Sequence, residues 1–151
     1  MRERSKGGWK KGGEHVKKGQ KDETFRVLWE KFRRKAGVDE VARRKGMEAL
    51  LLGTKGRLRE LSGKHVESRV VQAMLRYANE TQRLEMASEL IGSLSELAKL
   101  PYARHVALSV IRYCGKIRAK EIYQVLAPQA IKLAVHTNGA KVLDSFILEL
   151  S

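Results

Sequence analysis

The sequence predicts an all-α protein in which three-helix repeats stack into an α-solenoid. Apolar side chains recur at the spacing of helix faces, and no segment alternates apolar and polar residues as a strand would. The pattern also returns every 36 residues, and its turn-forming residues return in the same phase. A single unit cannot cover its own apolar face, so stacked units must bury a shared core.

Residues 1–22 are predicted to form a flexible basic tail. The segment holds five glycines and few large apolar side chains, so burial cannot offset the entropy cost of ordering it. Its basic pairs, Lys10–Lys11 and Lys17–Lys18, are typical of a nuclear or nucleolar address, and equally of an arm that follows phosphates. A tail that only adds solubility is a third interpretation.

Residues 23–55 are predicted to form a helical cap or a divergent repeat. Thr24 can cap a helix over residues 25–35, because its hydroxyl can accept a hydrogen bond from a backbone N–H of the first turn. Asp39 can cap a second helix, which the sequence predicts to stop at Gly53. We therefore expect a helical pair in front of the first complete repeat.

The repeats are predicted at residues 56–91, 92–127 and, in part, 128–151. Equivalent positions carry similar apolar side chains in successive units: Leu61, Leu97 and Leu133; Val70, Val106 and Val142; Met74, Val110 and Phe146; Tyr77 and Tyr113. Each unit should contain a short helix, a longer middle helix and a third helix. In the first unit these helices are predicted at residues 57–63, 67–77 and 80–90.

Charge indicates the class of partner. The chain carries 31 Lys and Arg against 17 Asp and Glu, a net charge of +14, which favours a polyanionic partner. The single cysteine, Cys114, excludes an intramolecular disulfide, and its position in the core phase predicts a small buried hydrophobe. We expect no metal, cofactor or small-molecule substrate, no membrane insertion and no catalysis, because ligand spacings, long apolar runs and catalytic motifs are missing from the sequence.

Four short strings connect the repeat to a known family. SRVVQ at residues 68–72 is similar to the recognition string of the Pumilio, or PUF, RNA-binding repeat, a unit of three helices and 36 residues. LWEKFRRK (28–35), YARHV (102–106) and NGAKVLD (138–144) resemble the Penguin-like, nucleolar branch of Pumilio-homology proteins. The resemblance covers residues 24–151, and it implies a right-handed solenoid in a short or truncated member of the family.

The resemblance also implies where RNA would bind. In PUF repeats the middle helix lines a concave surface, and three of its residues meet a base. The corresponding residues are Ser68, Arg69 and Gln72 in the first unit, Arg104, His105 and Leu108 in the second, and Ala140, Lys141 and Asp144 in the third. The side chains of Leu108 and Ala140 cannot hydrogen-bond a base edge, so we expect weak sequence preference.

Basic residues outside these triads are candidates for contacts with phosphates, which carry affinity but no sequence information. The candidates are Arg33, Arg34, Lys35, Arg43, Arg44, Lys45, Lys64, Arg76 and Arg112. For each residue alone, a solvated helix surface is the simpler interpretation, whereas the clusters taken together favour binding.

The sequence therefore predicts an RNA-binding helical-repeat protein without strong sequence specificity. By resemblance, its RNA would be rRNA or mRNA, with duplex DNA as a further partner, and its setting the nucleus and nucleolus. The resemblance implies a part in large-subunit ribosome biogenesis or in post-transcriptional regulation, alongside pre-ribosomal proteins. The alternative is a helical scaffold whose concave face or open C-terminal end docks a protein partner.

Overall fold

The computed structural model describes residues 18–35 and 39–151, and these residues form ten α-helices and no strand. The helices are α1 Lys18–Lys35, α2 Glu40–Thr54, α3 Leu58–Ser62, α4 His65–Tyr77, α5 Glu80–Leu90, α6 Leu94–Leu97, α7 Ala103–Cys114, α8 Ala119–Leu126, α9 Ala130–Ala134 and α10 Thr137–Leu150. Short 3₁₀ turns, Ile91–Ser93 and Ala127–Gln129, lead into α6 and α9. The predicted all-α fold class is confirmed.

The N-terminal pair, α1 and α2, continues the core of the repeats. The two helices pack against each other, and their apolar faces carry Phe25 and Phe32 on α1 and Met47 and Leu50 on α2. All four side chains are buried within the same hydrophobic cluster as the repeat residues. The pair therefore shares one continuous core with the first repeat.

α1 begins earlier than predicted. The prediction placed a flexible tail up to residue 22 and a cap at Thr24, whereas the helix begins at Lys18 and Thr24 lies inside it. Lysine, glutamine and glutamate between these two residues have high helix propensity, so the helix extends beyond the apolar face that marked its predicted start. The other residues of the predicted tail, 1–17, lie outside the described residues.

The predicted start of α2 is correct, whereas its predicted end is not. Asp39 is its N-cap, as predicted, and accepts a hydrogen bond from the backbone N–H of Val41 at 3.0 Å. Gly53, predicted to stop the helix, lies inside it, because one helical glycine costs only about 1 kcal/mol relative to alanine. The helix ends at Thr54, and the turn that follows uses Gly56, whose φ of 75° favours glycine.

The helices of the repeats follow the 36-residue register. In the first unit α4 ends at Tyr77 and α5 spans Glu80–Leu90, as predicted, while α3 is shorter than its prediction at both ends. The second unit consists of α6, α7 and α8, and the third contains α9 and α10. Turn residues in phase with the apolar pattern therefore placed the end of α4 and both ends of α5 correctly.

The middle helices of the three units, α4, α7 and α10, lie side by side. α4 packs against α7 and α7 packs against α10. Equivalent residues on them, Val70, Val106 and Val142, are at most 3% exposed, so the same face of each helix turns into the core. We call the solvent-facing sides of these three adjacent helices, which carry Arg69, His105 and Lys141, the inner wall.

Local contacts fix the third unit. The Nδ1 atom of His136 accepts hydrogen bonds from the backbone N–H groups of Asn138 and Gly139, at 3.1 and 3.2 Å, and so caps α10. A Cβ atom on Gly139 would lie 2.9 Å from the carbonyl oxygen of Leu133, so α9 and α10 approach too closely there for a larger residue. Cys114 at the end of α7 is 1% exposed, which confirms its predicted place in the core.

Candidate nucleic-acid interface

The inner wall presents a basic residue at the same position of each repeat. Arg69, His105 and Lys141 are all exposed, and each directly precedes one of the buried valines. Burial, and then the charges of Arg104 and Lys141, lower the pKa of His105, so Lys141 of the next repeat lies close enough to influence the ring. Side chains from successive repeats therefore share one surface.

An open cavity of about 720 Å³ lies where the N-terminal pair meets the inner wall. Residues of α1, α2, α4 and α7 line it, and five of the described arginines are among them: Arg33, Arg43, Arg69, Arg76 and Arg112. Within the described part of the chain, no aspartate or glutamate lines this concavity. We call it the arginine cavity.

Ion pairing is sparse among the arginines of the cavity. Elsewhere, three of the described arginines pair with glutamates: Arg26 with Glu67, Arg59 with Glu96, and Arg118 with Glu121. Inside the cavity, Arg33 pairs with Glu30, an exposed neighbour on its own helix, at 3.0 Å. Of the four other cavity arginines, none forms an ion pair within residues 18–35 and 39–151. Their mutual repulsion would be relieved by a bound polyanion.

Aromatic rings lie between the cations. Trp29 and Phe32 of α1 stack with ring centroids 5.5 Å apart, and both line the arginine cavity. Tyr77 and Tyr113, at equivalent positions of α4 and α7, line it as well. The guanidinium of the preceding arginine lies 5.6 Å from the Tyr77 ring and 5.7 Å from the Tyr113 ring. Cations beside flat rings can hold both a phosphate and a stacked base.

In the first unit, the structure brings two of the three predicted base-contacting residues to the cavity. Arg69 is exposed and Gln72 is half-buried, and both line the arginine cavity. The Nε2 atom of Gln72 donates to the carbonyl oxygen of Ser68 at 3.2 Å, so the amide is held in place along its own helix. Ser68 is 2% exposed and donates to the carbonyl oxygen of His65, so its hydroxyl lies below the surface.

In the second unit, His105 is the exposed one of the three predicted residues, and Arg104 and Leu108 are half-buried. The Arg104 guanidinium donates to the carbonyl oxygen of Pro101 at 3.2 Å and to Oδ1 of Asn138 at 2.7 Å, so it joins α7 to α10. Leu108 is half-buried and packs against the hydrophobic core. Of this triad, only the ring of His105 is exposed to a ligand.

In the third unit, the basic character of the wall decreases. Lys141 and Asp144 are exposed and Ala140 is half-buried. The arginine–tyrosine pair of the first two units is replaced by Leu148 and Glu149. The cationic surface is therefore concentrated at α1, α2, α4 and α7 and weakens towards α10.

The predicted phosphate contacts differ in whether their side chains line a cavity. Those in the arginine cavity are Arg33, Arg43, Arg76 and Arg112, and Arg44 lines a second cavity beside it. Arg34 and Lys45 are exposed but line neither cavity, and Lys64 lies 3.5 Å from Glu60 in an ion pair. The side chain of Lys35 lies outside the described residues.

The sequence favours inter-repeat packing for Tyr77 and Tyr113, with base stacking as a minor option, and a cap on the N-terminal end of the core for Trp29. All three rings line the arginine cavity, and Trp29 and Tyr113 also pack against the core. The recurrence of an arginine–tyrosine pair, Arg76–Tyr77 and Arg112–Tyr113, was the signal that could have found them. The contribution of the N-terminal pair to the cavity has no such periodic signature, because α1 and α2 lie outside the repeat.

The described residues contain neither a helix that could span a membrane nor a cluster of metal-binding side chains. None of the described helices is long and apolar enough to cross a membrane. The described residues also contain no group of three or more histidines, cysteines, aspartates or glutamates that could hold a metal ion.

Two curated proteins resemble this chain over most of its length. The chain is 29% identical over 117 residues to Pumilio homolog 3 of Rattus norvegicus, an alignment that covers 78% of this chain and 18% of that protein. It is 29% identical over 124 residues to Pumilio homology domain family member 6 of Schizosaccharomyces pombe, covering 82% of this chain and 19% of that protein. The chain thus spans less than a fifth of the length of these relatives. No protein-family profile matches it.

A solved structure shares the fold. The crystal structure of human Puf-A in complex with DNA superposes with a TM-score of 0.72 at 27% sequence identity, over 84% of this chain and 25% of that one. The register of the repeats, the curated relatives and this structure agree. They confirm the resemblance seen in the sequence: the chain is similar to Pumilio-repeat proteins, Pumilio homolog 3 and human Puf-A among them.

Proposed function

We propose that this chain binds single-stranded RNA with little sequence preference, with the arginine cavity as the centre of the site. The observation that carries the proposal is the cluster of Arg43, Arg69, Arg76 and Arg112, which line one concavity and form no ion pair within the described residues. Human Puf-A, whose fold this chain shares, was crystallised in complex with DNA, which supports a polyanionic ligand for this fold.

The geometry supports binding through the backbone of the nucleic acid. Guanidinium groups hold phosphates in a bidentate manner and carry no base information there. The inner wall carries no uninterrupted set of groups that could read bases one by one. Gln72, His105 and Asp144 offer hydrogen-bonding groups to a base edge. Leu108 and Ala140 offer none, so the set is interrupted in the second and third units. Aromatic rings in the cavity can stack on any base, so they add affinity without selecting a sequence.

The experiment is a salt titration with fluorescently labelled single-stranded RNA, followed by anisotropy. Each phosphate contact contributes about 0.7 to the slope of log affinity against log salt, or about a fivefold gain in affinity at 0.1 M salt relative to 1 M. We expect Arg69→Ala and Arg112→Ala each to weaken binding about fivefold and to reduce the slope by about 0.7. The matched controls, Lys120→Ala on α8 and Lys132→Ala on α9, remove exposed cations that do not line the cavity.

Unrelated RNA sequences should respond alike to these variants. A loss confined to one sequence would mean that the inner wall reads bases, and equal affinity of the cavity variants and wild type would refute the proposed site. The nuclear and nucleolar setting, and a role on rRNA in large-subunit biogenesis or on mRNA, belong to the same proposal and rest on the family. Crosslinking of the protein to RNA in cells, with and without Arg69→Ala and Arg112→Ala, tests that part.

A scaffold role is the second candidate, because the C-terminal face of α10 exposes apolar side chains. Ile147 is 55% and Leu150 is 52% exposed, whereas the equivalent residues of α7, Ile111 and Cys114, are buried. A helical repeat with an apolar face is the partner that fits such a surface. If the cavity variants leave RNA affinity unchanged while Ile147→Glu abolishes association with a helical-repeat partner, this candidate replaces the first.

A further inference from the structure

A second cavity continues the site beyond the inner wall. It has a volume of about 610 Å³ and lies between the beginning of α2 and the turn that joins α4 to α5. Four of the described arginines line it, Arg43, Arg44, Arg76 and Arg83, together with one carboxylate, that of Glu40 at the start of α2. We call it the edge cavity.

The two cavities share a wall. Arg43, Arg76 and Tyr77 line both of them, so the edge cavity opens directly beside the arginine cavity. Tyr77 is 47% exposed, and its ring lies between the two concavities with the Arg76 guanidinium 5.6 Å from its centroid. A ligand that fills the first cavity therefore has a continuous cationic path into the second.

The charges of the edge cavity are accessible to a ligand. Arg44 is exposed, and neither it nor Arg43 nor Arg76 forms an ion pair with any described residue. Arg83 is held in place by hydrogen bonds from Nε to the carbonyl oxygen of Leu75 and from Nη2 to that of Arg76, both at 2.7 Å. Its guanidinium thus has a fixed position, which lowers the entropy cost of binding an anion. The single carboxylate of Glu40 leaves the cavity with a net positive charge.

We propose that the edge cavity holds phosphates of the same RNA strand, which leaves the inner wall at Tyr77 and passes over the α4–α5 turn. This inference rests on the proposed function and extends it: the path turns away from the row of middle helices instead of following it to α10. The composition of the inner wall favours this path. In the third unit Leu148 and Glu149 replace the arginine–tyrosine pair, so α10 offers fewer contacts to a phosphate or a base. A turn of this kind suits a single strand, since a duplex is stiff over a persistence length of about 150 base pairs.

The test compares two RNA lengths and three variants. An RNA of about four nucleotides should fill only the arginine cavity, whereas one of about twelve nucleotides should reach the edge cavity as well. Arg44→Ala removes a cation that lines only the edge cavity, and Arg69→Ala removes one that lines only the arginine cavity. The control is Arg59→Ala, an exposed arginine of α3 that pairs with Glu96 and lines neither cavity.

We expect Arg44→Ala to weaken the long RNA about fivefold at 0.1 M salt, to lower its salt slope by about 0.7, and to leave the short RNA unchanged. Arg69→Ala should weaken both lengths, and Arg59→Ala neither. If Arg44→Ala leaves the long RNA unchanged, or weakens both lengths equally, the edge path is overturned while the arginine cavity stands. If Arg69→Ala changes neither length, the proposed function itself fails. Unchanged thermal unfolding of each variant shows that the exposed arginine was removed without loss of fold.

Discussion

The contact between Arg26 and Glu67 allows a quantitative prediction, because it joins the N-terminal pair to the first repeat. Glu67 lies on α4 with a side chain only 3% exposed, and Arg26 lies on α1 with a side chain 55% exposed. Both Nε and Nη2 of Arg26 donate to the same oxygen, Oε1 of Glu67, at 2.9 and 2.6 Å. The pair positions α1, and with it Arg33, against the arginine cavity.

The magnitude follows from the burial of the carboxylate. Breaking a fully buried ion pair by removing one partner costs about 3–5 kcal/mol, because the other charge stays buried and uncompensated. Arg26 is more than half exposed, so solvent already screens the pair and water can enter in the variant; we therefore expect Arg26→Ala to cost about 2 kcal/mol. Glu67→Gln keeps the shape and one acceptor oxygen, and should cost about 1 kcal/mol.

The double variant tests the reasoning. Once Arg26 is absent, replacing the buried carboxylate by an amide relieves an unpaired charge, so Arg26→Ala/Glu67→Gln should be no less stable than Arg26→Ala alone. The coupling free energy from urea unfolding at neutral pH should then be about 1–2 kcal/mol. Additive losses within about 0.3 kcal/mol, or single losses below about 0.5 kcal/mol, would show that the contact does not anchor the N-terminal pair.

Three other predictions concern single positions. Gly139→Ala should lower the free energy of unfolding by about 1–3 kcal/mol, since its Cβ would lie 2.9 Å from the carbonyl oxygen of Leu133; an unchanged urea midpoint would contradict that close approach. Burial, and then the charges of Arg104 and Lys141, lower the pKa of His105 from its ordinary 6.5. As the pH falls, the imidazole is therefore protonated in the unfolded chain before it is protonated in the folded protein. The contribution of His105 to stability should accordingly decrease as the pH drops through 6.5. RNA affinity should rise over the same range as the ring becomes a cation, and His105→Gln should remove both trends in unfolding and anisotropy titrations. Burial raises the pKa of the Cys114 thiol, so we expect its reaction with a disulfide reagent at neutral pH to wait for unfolding; rapid reaction of the folded protein would be inconsistent with this burial.

The sequence was most informative where a periodic signal existed. Apolar positions spaced for helices, repeated with their turn residues, fixed the repeat length, the end of α4, both ends of α5 and the place of Cys114 in the core. Boundaries without such a signal were wrong: α1 begins at Lys18 instead of Phe25, and Gly53 does not stop α2. Helix propensity and tertiary packing decide these ends, and neither is visible in the apolar pattern.

The site required distances that one-dimensional spacing does not contain. The 36-residue spacing aligned Arg76 with Arg112, but no spacing in the sequence placed Arg43 of α2 or Trp29 of α1 in the same concavity. Ser68 and Arg104 occupy equivalent positions of their repeats. The Ser68 hydroxyl is nevertheless buried, and the Arg104 side chain donates a hydrogen bond to Asn138. Hydrogen-bond partners and burial, both set by neighbouring helices, decide which members of a motif can reach a ligand.

The fold class, the repeat and the excess of positive charge follow from the residues alone, because each depends on residue type and periodicity along one dimension. The tertiary structure decided which of the described cations remain unpaired and where they converge. Those properties depend on how α1 and α2 pack against α4, and on which glutamates lie within reach of each guanidinium. Charge can be counted in a chain, but a binding surface exists only once folding has brought distant charges together and left them facing solvent.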